Sequence, residues 1–331
     1  MKNNISPYHL RFFLVPHCNL RCVYCNPDAE AEDRKLISFQ DIKDVMSIAS
    51  VKGVDRVHYS GGEPTLRKEI SSIFDFARDK GFVEQAMTTN GLTLEKKVKE
   101  YFDCGLTRLN ISLDSLNGDL NKKITGVDCL TRVLKGIDKS LNYFDRIKLN
   151  VVIMRRNIQE VEHFIEMSNR YNGKVIVRFI ELQSNQPVFF TDRMKGEHIP
   201  MSEVESIINE KFGTLRAIAI PGENPNCSYF SIEGSKALIG EIANHSKGYP
   251  CGGCHKIRIS PYGDLGVCIN AEGINVRNMP ISDKEAAIEK LFFFRSQLDV
   301  VAKKRRHLSD SKGFWRWGDL SNSTLKFVEL S

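Results

Sequence analysis

No apolar run in this chain approaches the length needed to cross a bilayer, and its first ten residues, MKNNISPYHL, lack the apolar core of a secretory leader. Neither a membrane span nor export is expected, so the protein is placed in the cytoplasm. The basic stretch Lys303-Lys304-Arg305-Arg306-His307 has no interleaved aromatics and no binding module around it. It reads as a solvated helix face, and nucleic acid is not expected as a partner. In that compartment disulfides are a poor explanation for nine cysteines, and metal binding or catalysis is a better one. The remaining composition is ordinary: 41% apolar and 27% charged residues over 331 positions, enough for one large core or two modest ones. A net charge of +6 favours anionic partners only mildly.

Each of the two cysteine groups lacks a fourth member. Cys18, Cys22 and Cys25 lie in PHCNLRCVYCNP, directly after the apolar run Leu10 to Val15; Cys251, Cys254 and Cys268 lie in CGGCHKIRISPYGDLGVC. Cys104, Cys129 and Cys227 are scattered and read as small core residues. A closed structural zinc site takes four ligands, whereas a cubane iron–sulfur cluster can be held by three thiolates with one iron left open. An open iron can bind a substrate. The zinc alternative needs His17 to complete the first group and His255 or an outside residue to complete the second. His255 adjoins Cys254 and is an awkward partner for chelation.

The rest of the first half alternates strands with helices. Leu10–Val15, Val54–Tyr59, Phe82–Met87, Leu106–Leu113, Ile147–Ile153 and Val175–Ile180 read as six strands. Ser38 with Asp41 three residues on makes a capping box for the first helix, whose apolar face is Ile42, Val45, Met46 and Ala49. Ile70, Ile73, Phe74 and Ala77 mark the second, Val98, Tyr101 and Phe102 the third, and Asn157 with Glu160 is expected to cap the helix after the fifth strand. Alternation of this kind implies parallel pairing through right-handed crossovers, in an open doubly wound sheet or a whole or partial barrel.

Buried parallel strands are normally apolar on both faces, so a polar stripe on one face should line a cavity. Arg11, Arg56 with His58 and Ser60, Arg108 with Asn110, Ser112 and Asp114, Lys148 with Asn150, and Arg178 supply such stripes. Gathered together, Arg11, Arg56, Lys148 and Arg178 would suit a polyanion such as a nucleotide. Gly61, Gly62 and Glu63 end the second strand in SGGEP, where glycines let backbone approach a ligand closely. Pattern changes after about residue 185: Gln183 to Pro200 is polar and aperiodic, Val204 to Phe212 suggests a helix, and Leu215–Ile220 and Ser228–Ile232 suggest short strands. The expected division is 1–185 and 186–331.

The pattern CxxxCxxC, with an aromatic before its last cysteine, resembles the signature of the radical S-adenosylmethionine (radical SAM) enzymes. CNLRCVYCNP, SGGEPTLRKEI, TTNGL, NISLDS, KLNVVI, VRFIEL and CGGCHKIRISPYGDLGVC, in that order, resemble the GTP 3′,8-cyclase (MoaA) family of molybdenum-cofactor biosynthesis. The resemblance implies a partial (β/α)6 barrel closed by a C-terminal domain with an auxiliary cluster. It also implies two [4Fe-4S] clusters, S-adenosylmethionine, and an electron donor such as flavodoxin or ferredoxin. In that family a 5′-deoxyadenosyl radical removes the ribose 3′-hydrogen of GTP, and the ribosyl radical adds to C8 of guanine. By matching, Cys18, Cys22 and Cys25 hold the radical cluster, and Cys251, Cys254 and Cys268 the auxiliary one. Gly61, Gly62, Glu63, Thr88 and Ser112 contact S-adenosylmethionine; Arg11, Arg56, Lys148, Arg178, Lys256 and Arg258 face the nucleotide, with Arg11 and Arg258 in the catalytic set.

The chain also departs from the family. It ends in Phe327-Val328-Glu329-Leu330-Ser331, where the family ends in Gly-Gly; Lys256 stands for an arginine, and Arg56 with His58 stand for a lysine and an arginine. A lysine cannot reproduce a bidentate arginine, and a histidine is mostly neutral in the cytoplasm. Radical chemistry on another small molecule or a peptide, in a natural-product pathway, therefore stays open beside GTP. A zinc-stabilised RNA-binding protein is the reading from a different class, separable from the others by metal content.

Overall fold

The computed structural model describes residues 7–25, 34–182, 194, 196–220, 227–243, 246–247, 254–268, 273–304, 313–317 and 325–329. Its first half runs β1 (His9–Phe13), α1 (Phe39–Val51), β2 (Arg56–Ser60), α2 (Ile70–Asp79), β3 (Glu84–Thr89), α3 (Leu94–Asp103), β4 (Arg108–Ser112), α4 (Gly118–Thr125), α5 (Leu130–Ser140), β5 (Ile147–Ile153), α6 (Val161–Arg170) and β6 (Val175–Glu181). The second half runs α7 (Met201–Lys211), β7 (Leu215–Ile218), β8 (Ser228–Ile232), β9 (Leu238–Ile242), β10 (Lys256–Ile259), β11 (Asp264–Gly266), β12 (Ile274–Asn275), α8 (Ile281–Lys304), β13 (Gly313–Trp317) and β14 (Leu325–Glu329).

Strands β1 to β6 are neighbours in chain order and all parallel, the six-stranded α/β arrangement expected of a partial barrel. Both edges are then extended by later strands. β10 joins β1 in parallel and continues antiparallel to β11 and β12; β9 joins β6 in parallel and continues antiparallel to β8 and β7. The result is a single 12-stranded sheet, with β13 and β14 paired separately. The expected boundary at residue 185 lies outside the described residues. Segments on both sides of it belong to the same sheet and share one hydrophobic core.

Strand periodicity decides the two faces. In β1, Leu10 and Phe12 are fully buried among the helices while His9, Arg11 and Phe13 alternate with them. α1 begins as the capping box requires: the Ser38 hydroxyl accepts from Asp41 N at 3.0 Å, and the Asp41 carboxylate accepts from Ser38 N at 3.4 Å. On α2, Phe74 lies 4.9 Å from the Tyr59 ring and 5.8 Å from Tyr101, joining sheet, α2 and α3. Truncating such an aromatic to alanine costs about 3–5 kcal/mol.

Two expectations change. The β4–β5 connection carries two helices that periodicity had not marked. In α5 the mid-helix Gly136 weakens the helical signal, and it is there because a Cβ would sit 3.0 Å from Leu94 Cβ on α3 and 3.1 Å from Gly91 O in the turn before it. Asn157 does not cap by its side chain. Its Oδ1 accepts from Met154 N at 2.8 Å and its Nδ2 donates to Asp114 O at 2.7 Å. Glu160 instead accepts from the Ser115 hydroxyl, Leu116 N and Asn117 N, fastening the β5–α6 turn to the β4–α4 loop.

Candidate active site

The cysteine loop leaves the C-terminal end of β1, where parallel sheets collect their functional loops. Cys18 Sγ accepts from Leu20 N at 3.4 Å and from Asn90 Nδ2 at 3.8 Å, and Asn90 also donates to Asn19 Oδ1 at 2.7 Å. Burial raises the pKa of all three thiols. Beyond it, Glu63 raises Cys18; Asp114, Cys25 and Cys18 raise Cys22; Cys18 and Asp114 raise Cys25. Each thiol thus opposes its neighbours' ionisation, and a bound cationic centre would be what holds them as thiolates.

Gly61 and Gly62 are required by that loop itself. Gly61 has φ +139°, and a Cβ there would lie 2.6 Å from Val15 O; at Gly62 it would lie 2.1 Å from His17 O. Gly62 N donates to Val15 O at 2.8 Å and Glu63 N to His17 O at 2.9 Å, so the SGGEP strip is laid directly on the cysteine loop. The close approach expected of these glycines is thus made to protein backbone. Glu63 is only 1% exposed, and its carboxylate accepts from Thr65 N, the Thr65 and Thr89 hydroxyls, and Asn90 N at 2.7–3.1 Å. It binds the turn after β2 to the end of β3 and holds Asn90 against Cys18. Ser112 is half-buried at the end of β4, beside Asn150 in the register.

The inward face of the sheet is cationic. The register sets Arg258 and His58 on either side of Arg11, and Lys256 beside His9. Arg11 Nε donates to the Ser60 hydroxyl at 3.4 Å, and its guanidinium lies 5.5 Å from the Phe13 ring centre. Burial, with Arg258 and Arg178, pushes Arg11 down to about 9. Burial and Arg11 push Lys256 down to about 8. Burial, then Lys256 and Arg56, lower His9 to about 3, and His58 is depressed by burial and then Arg11. Both imidazoles are neutral there. Arg258 Nε is buried without a hydrogen-bond partner among the described residues. Arg178 donates to Asn110 and Asn150, and Thr88 bonds His58 Nε2 at 2.8 Å, so Thr88 is engaged within the sheet's interior.

Lys148, 7% exposed, lies near the N-terminal end of β5 and lines a cavity of about 480 Å³ with Arg108, Arg146, Phe102, Tyr143 and Phe144. Arg56 stands at the rim of this face. It starts β2, with a side chain 39% exposed, donates to Pro7 O at 3.1 Å and lies 3.6 Å from Asp55. A residue at the rim finds local acceptors before it can reach the middle of the sheet.

Of the second cysteine group, Cys254 and Cys268 are half-buried, and Cys251 lies outside the described residues. Cys254 precedes β10, which runs parallel to β1. It therefore sits at the N-terminal end of the strands, opposite the first group, and departs from the C-terminal sidedness of the other loops. As a thiolate it would raise the pKa of Arg11 and Lys256. A five-residue strand spans roughly 16 Å, and the cationic face occupies that interval. Among the described residues no three His, Cys, Asp or Glu side chains converge on a position for a single metal ion.

Sequence reasoning assigned no site role to His9 or Asn90, and it placed Asn110, Asn150 and Asp114 only in the polar stripes, without their contacts. His9 could have been found from β1, since it precedes Arg11 by two residues and shares its face. Asn90 could not, because nothing in TTNG points to a cysteine 72 positions away.

This parallel sheet, with a three-thiol loop where its first strand ends, is the fold of the radical SAM superfamily, whose family model matches residues 13–168. The protein is a radical SAM enzyme, a class that uses a [4Fe-4S] cluster and S-adenosylmethionine. Streptococcus suis SuiB bound to S-adenosylmethionine shares the fold with a TM-score of 0.62 at 18% identity, over 81% of this chain and 62% of SuiB. The GTP 3′,8-cyclase of Thermodesulfovibrio yellowstonii is 32% identical over 300 residues, covering 88% of each chain. The probable GTP 3′,8-cyclase of Saccharolobus solfataricus is 34% identical over 264 residues, 80% of this chain and 83% of that one. The molybdenum cofactor biosynthesis protein moc-5 of Caenorhabditis elegans is 31% identical over 90% of this chain, which spans 49% of moc-5. The chain belongs to the GTP 3′,8-cyclase family. No helix among the described residues is long and apolar enough to cross a membrane.

Proposed function

We propose that this enzyme is itself a GTP 3′,8-cyclase of the cytoplasm. The observation that carries the reading is the cationic inward face between the two cysteine groups, where the charges acting on Arg11, His9 and His58 are chiefly those of other cations. Such a field favours a polyanion, and a triphosphate is a compact one. Arg11, Lys148, Arg178, Lys256 and Arg258 bind and orient the nucleotide, and the neutral His9 and His58 offer hydrogen bonds without added charge.

Cys18, Cys22 and Cys25 would hold the [4Fe-4S] cluster beside S-adenosylmethionine, with backbone from the SGGEP strip and Ser112 near it. Cys251, Cys254 and Cys268 would hold a second cluster at the opposite end of the strands, in a C-terminal domain beginning near residue 186. Bound together, the first cluster and S-adenosylmethionine supply a 5′-deoxyadenosyl radical able to take hydrogen from an unactivated C–H bond. The chain's own part is to keep the ribose within reach of the first group, hold the phosphates on its cations, and exclude water with the packed sheet. The electron donor is of the flavodoxin or ferredoxin kind.

An anaerobic turnover assay tests this: reconstituted, reduced protein with S-adenosylmethionine, with and without GTP, read by mass spectrometry. GTP should stimulate 5′-deoxyadenosine release and be converted to a new nucleotide, and Cys22→Ala should abolish both. Release indifferent to GTP would mean that Lys256 and His58 mark a different substrate.

A further inference from the structure

Arg178 is held on three sides. Asn150 is its register partner on β5, and Asn150 Oδ1 accepts from both Nε, at 2.9 Å, and Nη2, at 2.5 Å. Nη2 donates also to Asn110 Oδ1 at 2.9 Å. Asn110, 3% exposed, is fixed in turn, because its Nδ2 donates to Met87 O at 3.2 Å and reaches the Thr88 hydroxyl at 3.4 Å. On the third side, Gly240 of β9 is opposite Arg178 in the register, and a Cβ there would lie 2.7 Å from Arg178 Cγ and 2.9 Å from Cys227 Sγ. The glycine leaves room for the arginine's stem.

A guanidinium has five N–H groups in a fixed planar fork. Here Nε and Nη2 are bound to amide oxygens, and Nη1 has no acceptor among the described residues. Acceptors that carry no charge orient the group without neutralising it; a carboxylate in either place would make an internal ion pair and cancel the field. The chain His58–Thr88–Asn110–Arg178–Asn150 thus crosses the inward face from β2 to β6 with its cation intact.

We propose that Asn110, Asn150 and Gly240 are positioning residues that hold the Arg178 guanidinium edge-on, so that Nη1 meets a phosphate oxygen of the substrate. This rests on the reading of the cavity as a nucleotide site. Asn110 and Asn150 act through Arg178, and Gly240 by leaving its stem unobstructed.

The test is a double-mutant cycle in GTP affinity, measured by anaerobic calorimetry on the reconstituted enzyme with S-adenosylmethionine present. Asn150→Ala should weaken GTP about five- to tenfold in the wild-type background and change it less than twofold in an Arg178→Met background, because coupled residues are not additive. S-adenosylmethionine affinity should be unchanged in every variant. Gly240→Ala provides a second arm, with the same dependence on Arg178 expected. Equal losses from Asn150→Ala in both backgrounds would overturn the inference, since a direct contact or damaged folding needs no Arg178. If Arg178→Met itself leaves GTP affinity unchanged, the nucleotide reading falls and takes this inference with it.

Discussion

The hydroxyl of Tyr24 donates to the carboxylate of Asp114 at 2.7 Å, joining the residue before the last cysteine of the loop to the end of β4. Asp114 is 3% exposed, its other oxygen accepts from Val152 N at 2.8 Å, and burial lifts it to about 6. Three parts of the molecule therefore meet on one carboxylate: the cysteine loop, β4 and β5. Tyr24→Phe would leave a buried acceptor short of one partner, which costs about 1–3 kcal/mol. The expected result is a lower urea midpoint and less iron bound per chain after reconstitution. Unchanged iron content with an unchanged midpoint would show that the bond does not secure the loop.

Much of the scaffold was legible in residue order, because the elements up to β6, apart from α4 and α5, carry their own period. Leu10 and Phe12 alternate, Ile147–Ile153 matches its strand end to end, and Ser38 with Asp41 forms the capping box. What could not be read depends on partners far away in the chain. β10 sits beside β1 although some 240 residues separate them, and its alternation of Lys256 and Arg258 with Ile257 and Ile259 is too short to announce a strand. The cationic residues were visible as a stripe, but not their commitments: Arg56 to Pro7 O, and Arg178 to two asparagines. Glu63 and the two glycines were read toward a ligand; their packing within the chain was not visible, the glycines against the cysteine loop and the Glu63 carboxylate on Thr65, Thr89 and Asn90.

Gly62 provides a direct test of that packing. A methyl group 2.1 Å from His17 O cannot be accommodated without moving backbone, since no flexible side chain is there to yield. Gly62→Ala should displace His17 and Cys18 and reduce cluster incorporation severalfold. Gly81→Ala is the comparison, with φ +84° but nothing within 4 Å; it carries only backbone strain, about 1 kcal/mol, with normal iron content. Normal iron loading in Gly62→Ala would refute the assignment of this glycine to the cysteine loop.

His9 should couple folding to pH. Its pKa falls from 6.5 toward about 3 in the folded chain, through burial and then Lys256, Arg56, Arg11 and Arg258. Between those values the unfolded chain binds a proton that the folded chain refuses, so stability is full above pH 6.5 and is lost as pH falls toward 3. One such group contributes a slope of at most about 1.4 kcal/mol per pH unit. His9→Gln should flatten the stability profile between pH 4 and 6, part of the slope remaining with His58, which shifts in the same direction. Bound GTP should also make the wild-type slope shallower, because a polyanion favours protonation nearby. An unaltered profile in His9→Gln would mean that this imidazole does not sit in the cationic field.

The sheet's N-terminal half is joined to the last long helix by one buried lysine. Lys284 of α8 is 2% exposed and donates to Asp41 Oδ1 and Asp44 Oδ2 of α1, each at 2.6 Å. Burial alone would raise Asp41, but the hydrogen bonds from Lys284 and Ser38 outweigh it and hold the carboxyl below its ordinary value. Removing the cation leaves Asp41 buried, still charged and facing Asp44, so Lys284→Met should cost about 3–5 kcal/mol near neutral pH. The sign with pH is fixed. A depressed carboxylate stabilises above its unfolded pKa and loses that stability as pH falls through the folded one, so the gap between wild type and variant should narrow below about pH 4. Adding Asp41→Asn to the lysine variant should recover part of the loss, because the uncompensated charge is then gone, whereas Asp41→Asn in the wild-type background should destabilise. Additive losses in the double variant would show that the buried Lys284 pair is incidental to the packing of α1 on α8.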